Sequence, residues 1–152
     1  MSFEQLLDEI VIQTQGEGFT DITSDISQWV NSSEIKQGIL NIMVLHTSCS
    51  LIINENADPR VLSDLSTYMR SLVPEEGARP ISGLGNLKGY LHSEEGKDDM
   101  PAHIRTSLTT TSLSLTINKK SLILGTWQAV YLWEHRYSSN LRHISLHALG
   151  ER

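Results

Sequence analysis

The chain has 152 residues, 39% of them hydrophobic and 20% charged, and a formal net charge of −6. That length fits a single domain spanning residues 1–152, able to bury about two thirds of the surface of its unfolded chain. The acidic balance argues against a protein that binds nucleic acid or an anionic membrane by charge, and no apolar run reaches the roughly eighteen residues a spanning helix needs.

The lone cysteine, Cys49, has no partner for an internal disulfide, which fits a reducing, cytoplasmic setting. The first ten residues lack the basic start and cleavage site of a secretory signal.

Taken in order, Ile10 to Gln13 reads as a short strand after a polar start. Thr23 or Ser24 then offers a cap for a helix carrying Ile26, Trp29 and Val30 at helical spacing. Gly38 to Leu45 is nearly continuous in apolar residues and predicts a strand buried on both faces. It breaks at the polar corner His46-Thr-Ser-Cys-Ser50 and turns apolar again at Leu51. Asp58 followed by Pro59 is a helix start, and Val61, Leu62, Leu65, Tyr68, Met69 and Leu72 form a core-facing stripe that stops before Pro74. A long glycine-rich loop runs from Glu75 to Gly89.

Next comes Tyr90-Leu-His-Ser-Glu-Glu-Gly-Lys-Asp-Asp-Met-Pro-Ala-His103, dense in imidazoles and carboxylates and poor in anything to bury. Pro101 suits a first helical turn, with Asp99 as cap and His103 just inside the helix. Alternation predicts a strand over Ser112–Ile117, a turn at Asn118–Lys120 and a returning strand over Ser121–Leu124. Another strand covers Thr126–His135, with Gln128 and Glu134 on one face beside Val130 and Leu132, and a last one covers Arg142–Leu149. Strands interleaved with two or three helices, without βαβ regularity, predict an α+β fold of mainly antiparallel sheet.

The chemistry gathers at polar corners. His46, His92 and His103 each stand where an apolar element meets a polar loop, and three imidazoles with an open position make a known zinc arrangement. Asp98 and Asp99 are candidate oxygen ligands for a harder ion such as magnesium. His143 and His147 are four apart on a strand, roughly 13 Å from each other, and lack the glutamate of a helical zinc motif. Cys49 lies at odd separation from His46, so an extended segment turns the two apart and makes Cys49 a small buried residue. Ser48 shares the parity of His46 and is expected to hydrogen-bond substrate. Glu55 sits just beyond a buried strand and, with Asp98 and Asp99, is a candidate oxygen ligand for a hard metal. A buried Gln or Glu on the strand over Thr126–His135 must be paired, as buttress or pocket floor. With few clustered arginines in sight, a metal-assisted route is expected rather than an arginine clamp.

Three blocks together resemble one known family. They are His46-Thr-Ser-Cys-Ser-Leu51 with Asn54-Glu-Asn-Ala-Asp58; Tyr90 and His92 with Glu95-Gly-Lys-Asp-Asp-Met-Pro-Ala-His103; and Ser121-Leu-Ile-Leu-Gly-Thr-Trp-Gln128. They run in order over about Gly38 to Gly150 and are similar to the YjbQ-like family, also called the secondary thiamine-phosphate synthase enzyme family. Family members often carry Asn in place of Asp99 and a small residue in place of Cys49. The resemblance implies a homotrimeric α+β protein with a polar pocket near the subunit interface. It also implies an enzyme that joins a pyrimidine pyrophosphate to a thiazole phosphate and releases pyrophosphate. On that reading His46, His92, His103 and Glu55 are the catalytic candidates. Ser48, Asn56, Thr126 and Gln128 are the expected substrate-binding residues. His46, His92, His103, Asp98 and Asp99 are the candidate ligands for a divalent magnesium or zinc ion. The partner is a phosphorylated small molecule. Two other readings use the same cluster: a metal-dependent hydrolase or lyase, and a non-catalytic trimeric ligand-binding protein.

Overall fold

The computed structural model describes residues 2–152. In chain order it comprises β1 (Phe3–Gln13), β2 (Gly18–Asp21), α1 (Thr23–Ser33), β3 (Gln37–Val44), β4 (Cys49–Glu55), α2 (Pro59–Leu72), α3 (Asp99–Leu108), β5 (Ser112–Asn118), β6 (Ser121–Leu122), β7 (Gln128–Glu134) and β8 (Leu141–Glu151). A five-stranded sheet has the order β1-β8-β3-β5-β6, and a three-stranded sheet has the order β2-β7-β4. Every pairing is antiparallel. The class is therefore α+β with three helices, as the element pattern predicts.

Alternation builds the core. Along β3, Leu40, Ile42 and Val44 turn inward, and Ile144, Leu146 and Ala148 do the same along β8. They meet Leu51, Val130 and Leu132 of the small sheet, with Ile22, Ile26 and Val30 of the α1 region in the same cluster. Burial of each such side chain contributes on the order of 1.5–3 kcal/mol before the entropy of ordering is counted. No described helix is long and apolar enough to cross a membrane.

Several local expectations are corrected. β1 begins at Phe3 rather than Ile10, and all eleven of its residues pair with β8. Its start carries apolar residues on both faces among charges, which hides the period of two. β3 is buried on one face only: Ile39 and Met43 point outward and are exposed. The stripe of α2 is not core. None of its residues is fully buried, and Tyr68 and Leu72 lie open. In α1 neither Thr23 nor Ser24 caps the helix; Ile22 holds the cap position, and the Thr23 hydroxyl accepts from the Val130 N–H at 2.9 Å. The cap of α3 falls on Asp98, not Asp99. The start of α2 follows its sequence signal, with Asp58 accepting from the Arg60 N–H at 2.9 Å.

The two sheets meet at a corner. The chain leaves the large sheet at Val44 and enters the small one at Cys49, so His46, Thr47 and Ser48 form the crossing. The start of β8, the end of β7 and the first turn of α3 converge there.

Candidate functional site

The structure divides the sequence-nominated residues between two ends of the small sheet. β4 and β7 pair from Cys49 with Glu134 to Glu55 with Gln128. Six residue steps at about 3.3 Å separate those ends by roughly 20 Å. His46, Ser48, His92, Asp98, Asp99 and His103 gather at the Glu134 end. Glu55, Asn56, Thr126 and Gln128 sit at the other.

At that far end the polar groups hold the chain itself. Glu55 accepts from the Asp58 N–H at 3.0 Å. Asn56 donates to the carbonyls of Thr126 and Gln128 at 3.4 Å each, and Gln128 accepts from the Gly125 N–H at 2.7 Å. Gln128 is exposed, correcting the expectation of a buried glutamine, and the closed loop leaves Trp127 largely in solvent.

At the near end, α3 supplies Asp99 and His103 one turn apart, and the loop before it supplies His92. One ligand atom from each of the three lies within 4.8 Å of the others. Asp99 Oδ2 stands 2.6 Å from His92 Nε2 and 3.5 Å from His103 Nε2. Asp99 is buried, and burial by itself raises its carboxyl. The hydrogen bond with His92, the Arg136 guanidinium and His103 outweigh that and hold it below the usual carboxylate range. Arg136 reaches Asp99 Oδ1 at 2.5 Å and Asp98 Oδ2 at 2.9 Å. Asp98 also accepts from the Tyr137 N–H at 2.9 Å, so its carboxylate is occupied in pinning the β7–β8 turn.

His46 and His103 differ in tautomer. His103 Nδ1 donates to the Thr47 carbonyl at 2.9 Å, which leaves Nε2 as the free ring nitrogen. His46 Nδ1 accepts from the Ser48 N–H at 3.1 Å and lies 3.0 Å from the Ser48 hydroxyl, so in the neutral ring Nε2 carries the hydrogen. Desolvation, then the Arg142 charge, shifts His46 downward and favours that neutral form. A cavity of about 320 Å³ is lined by His46, Ser48, Glu95, Asp99, His103 and Arg142, among others.

Beneath the cavity lies a buried ion pair. Arg142 donates Nε to Glu134 Oε1 at 2.8 Å and Nη2 to Glu134 Oε2 at 2.6 Å, and both side chains are almost wholly buried. Thr14 donates to Glu134 at 2.8 Å, and Arg142 Nη2 also reaches the Ser48 hydroxyl at 2.9 Å. The expectation that a buried Glu134 must be paired is met. Cys49 is fully buried, and desolvation pushes its thiol up to about 12, so it presents no thiolate near neutral pH.

Comparison with known proteins places the chain. The UPF0047 protein YjbQ-like family model matches residues 8–151. The chain belongs to this family. A UPF0047 protein of Synechocystis is 47% identical over 150 residues, covering 99% of this chain and 95% of its own. The UPF0047 protein YjbQ of Escherichia coli O157:H7 is 35% identical, covering 93% and 96%. Among solved structures, a YjbQ/UPF0047 family protein of Clostridium acetobutylicum superposes with a TM-score of 0.76 at 29% identity, covering 91% of this chain and 97% of that one. A YbjQ-like protein of Sulfolobus solfataricus shares the fold, with a TM-score of 0.83 over 99% of this chain and 100% of that one at 23% identity.

In this YjbQ-like chain the sequence reading missed Arg136, Arg142 and Thr47. Arg142 had a signal: it occupies the inward parity of β8, in line with Ile144, Leu146 and Ala148, where a cation must have a partner. The expectation of few clustered arginines is likewise corrected, because Arg136 and Arg142 line one cavity.

Proposed function

We propose that the chain is a small-molecule enzyme in which His92, Asp99 and His103 hold one divalent transition-metal ion, and in which the adjoining cavity takes substrate for hydrolytic or lyase chemistry. One observation carries the reading. With Nδ1–H given to the Thr47 carbonyl, neutral His103 turns a bare Nε2 lone pair toward Asp99 Oδ2, 3.5 Å away. Two acceptors then face each other, an arrangement that calls for a cation between them or a proton on the ring.

Two imidazoles and one carboxylate suit zinc, manganese or iron better than magnesium, which prefers oxygen donors throughout. When bound there, such an ion supplies Lewis acidity at the cavity edge. The chain's own groups do the rest: the Thr47 carbonyl fixes the His103 tautomer, Arg136 holds Asp99 in place, and His46 Nε2–H donates a hydrogen bond into the cavity. Glu95 lies 4.0 Å from His92, exposed at the rim.

Metal content of the purified protein tests the reading, repeated after zinc or manganese loading of the wild type and of His92→Ala, Asp99→Asn and His103→Ala. The expectation is about one ion per chain in the wild type and loss of tight binding in each variant. No bound ion after loading, or equal binding by all three variants, overturns it.

Group transfer between two small molecules, such as the joining of a pyrimidine pyrophosphate to a thiazole phosphate, is the second reading. A second cavity of about 420 Å³ favours it, because it shares Thr47 and His103 with the first and places one imidazole between two compartments. Product formation that needs both substrates supports transfer; hydrolysis of either alone refutes it. The homotrimer belongs to both readings. Its support is the outer face of the large sheet, where Phe3 is 68% and Leu7 71% exposed beside Val11, Ile39, Met43 and Leu149.

A further inference from the structure

We infer that the cavity beside the His92/Asp99/His103 cluster seats an oxyanion of the substrate, a phosphoryl or carboxylate group, on Arg142 Nη1 and His46 Nε2–H. The inference deepens the proposed function by naming the substrate's recognition group, yet the anion seat does not require the metal.

Arg142 is the decisive residue. It is 3% exposed. Nε and Nη2 are engaged by Glu134 and Ser48. Nη1 has no hydrogen-bond partner among the described residues, and Arg142 lines the cavity. A buried guanidinium with one free corner at a polar cavity leaves donor capacity unmet, which is costly unless a ligand or water accepts from it. Glu134 holds the other edge as a two-point fork, so the free corner needs no reordering before it binds.

His46 supplies the second donor independently. The Ser48 N–H requires its Nδ1 to accept, and the remaining Nε2–H has no partner among the described residues while the ring lines the same cavity. The cavity lining carries two guanidinium groups, Arg136 and Arg142, against two carboxylates, Glu95 and Asp99. Each guanidinium is already paired, Arg142 with Glu134 and Arg136 with Asp98 and Asp99, so the seat rests on directed donors rather than on net positive charge. Asp99 is itself tied to Arg136, and Glu95 sits out at the rim.

Calorimetric titration of the full chain, stripped of metal with chelator, tests the seat. Inorganic phosphate is the probe for a phosphoryl group and acetate the probe for a carboxylate. Binding of either is expected to weaken roughly tenfold or more in His46→Ala, since a hydrogen bond to a charged group is lost. It is expected to vanish in the doubly neutral Arg142→Gln/Glu134→Gln variant, which removes the cation without stranding the glutamate. Should that variant fail to fold, His46→Ala decides alone, because His46 is exposed. Saturation by phosphate but not acetate assigns a phosphoryl group; the reverse assigns a carboxylate. Binding of neither probe, or unchanged binding in His46→Ala, overturns the inference. An absence of bound metal with phosphate binding intact would refute the metal reading and leave the anion seat standing.

Discussion

His135 makes the chain acid-sensitive in a way that one substitution can isolate. It lies 1% exposed at the end of β7, tilted against Trp133 with ring centroids 5.0 Å apart, with Nε2 2.9 Å from the Ser50 hydroxyl. Desolvation, followed by the charges of Arg105 and Arg142, lowers its pKa from 6.5 to about 3. Folding therefore weakens proton binding. Between about pH 3 and 6.5 the unfolded chain holds a proton that the folded chain refuses, and stability falls as pH falls through that window. Above 6.5 both states are neutral and the contribution is flat. Each pH unit below 6.5 costs about 1.4 kcal/mol, or about 2 kcal/mol at pH 5 relative to pH 7. That figure holds for any folded value well below 5. The perturbation is His135→Gln, which keeps a polar partner for Ser50 and removes the titration. Urea unfolding at pH 7 and pH 5 on both proteins gives the difference directly. The wild type should lose about 2 kcal/mol more than the variant over that interval. Equal losses would show that His135 accepts its proton in the folded state, and the burial argument would fail.

Two further tests follow from burial and exposure. Cys49 should resist a thiol-exchange reagent at pH 8 in the folded chain and react once urea unfolds it; rapid labelling of the folded protein would contradict a thiol raised to about 12. Leu7→Glu places a charge in the outward apolar face of the large sheet. On the proposed homotrimer it should lower the light-scattering mass of the wild-type assembly to that of a monomer while circular dichroism stays unchanged; a mass equal to that of the wild type would refute an interface on this face.

The fold was legible where one face of an element repeats cleanly. The Asp58–Pro59 start of α2, the β5 alternation and the corner after Val44 all follow from local chemistry. The corner fitted either two joined strands or one interrupted strand, and it is a join, between two different sheets. Errors arose where apolar residues face outward. Ile39 and Met43 made β3 look buried on both sides, and Tyr68 and Leu72 made α2 look like core. Hydrophobicity marks what can be buried, not what buries it within one chain. In the site, histidines and carboxylates stood out by type, and the His92, Asp99 and His103 grouping lies within one short segment. Arg142 and Glu134 were harder: they lie eight residues apart on different sheets, and no spacing rule joins them. Within one chain Glu55, Asn56, Thr126 and Gln128 stand at the opposite end of the small sheet from the histidines, because strand length carries them there.

The corner at His46–Ser48 has a mechanical consequence. Arg142 comes from the large sheet and Glu134 from the small one, so their ion pair acts as a rivet between the two layers, beside the Thr14–Glu134 and Leu51–Thr110 hydrogen bonds and the apolar packing. A ligand accepting from the free end of that rivet would also tighten the joint beneath it. Occupancy and resistance to unfolding would then rise together, and whatever fills the cavity would clamp the sandwich as well as react in it.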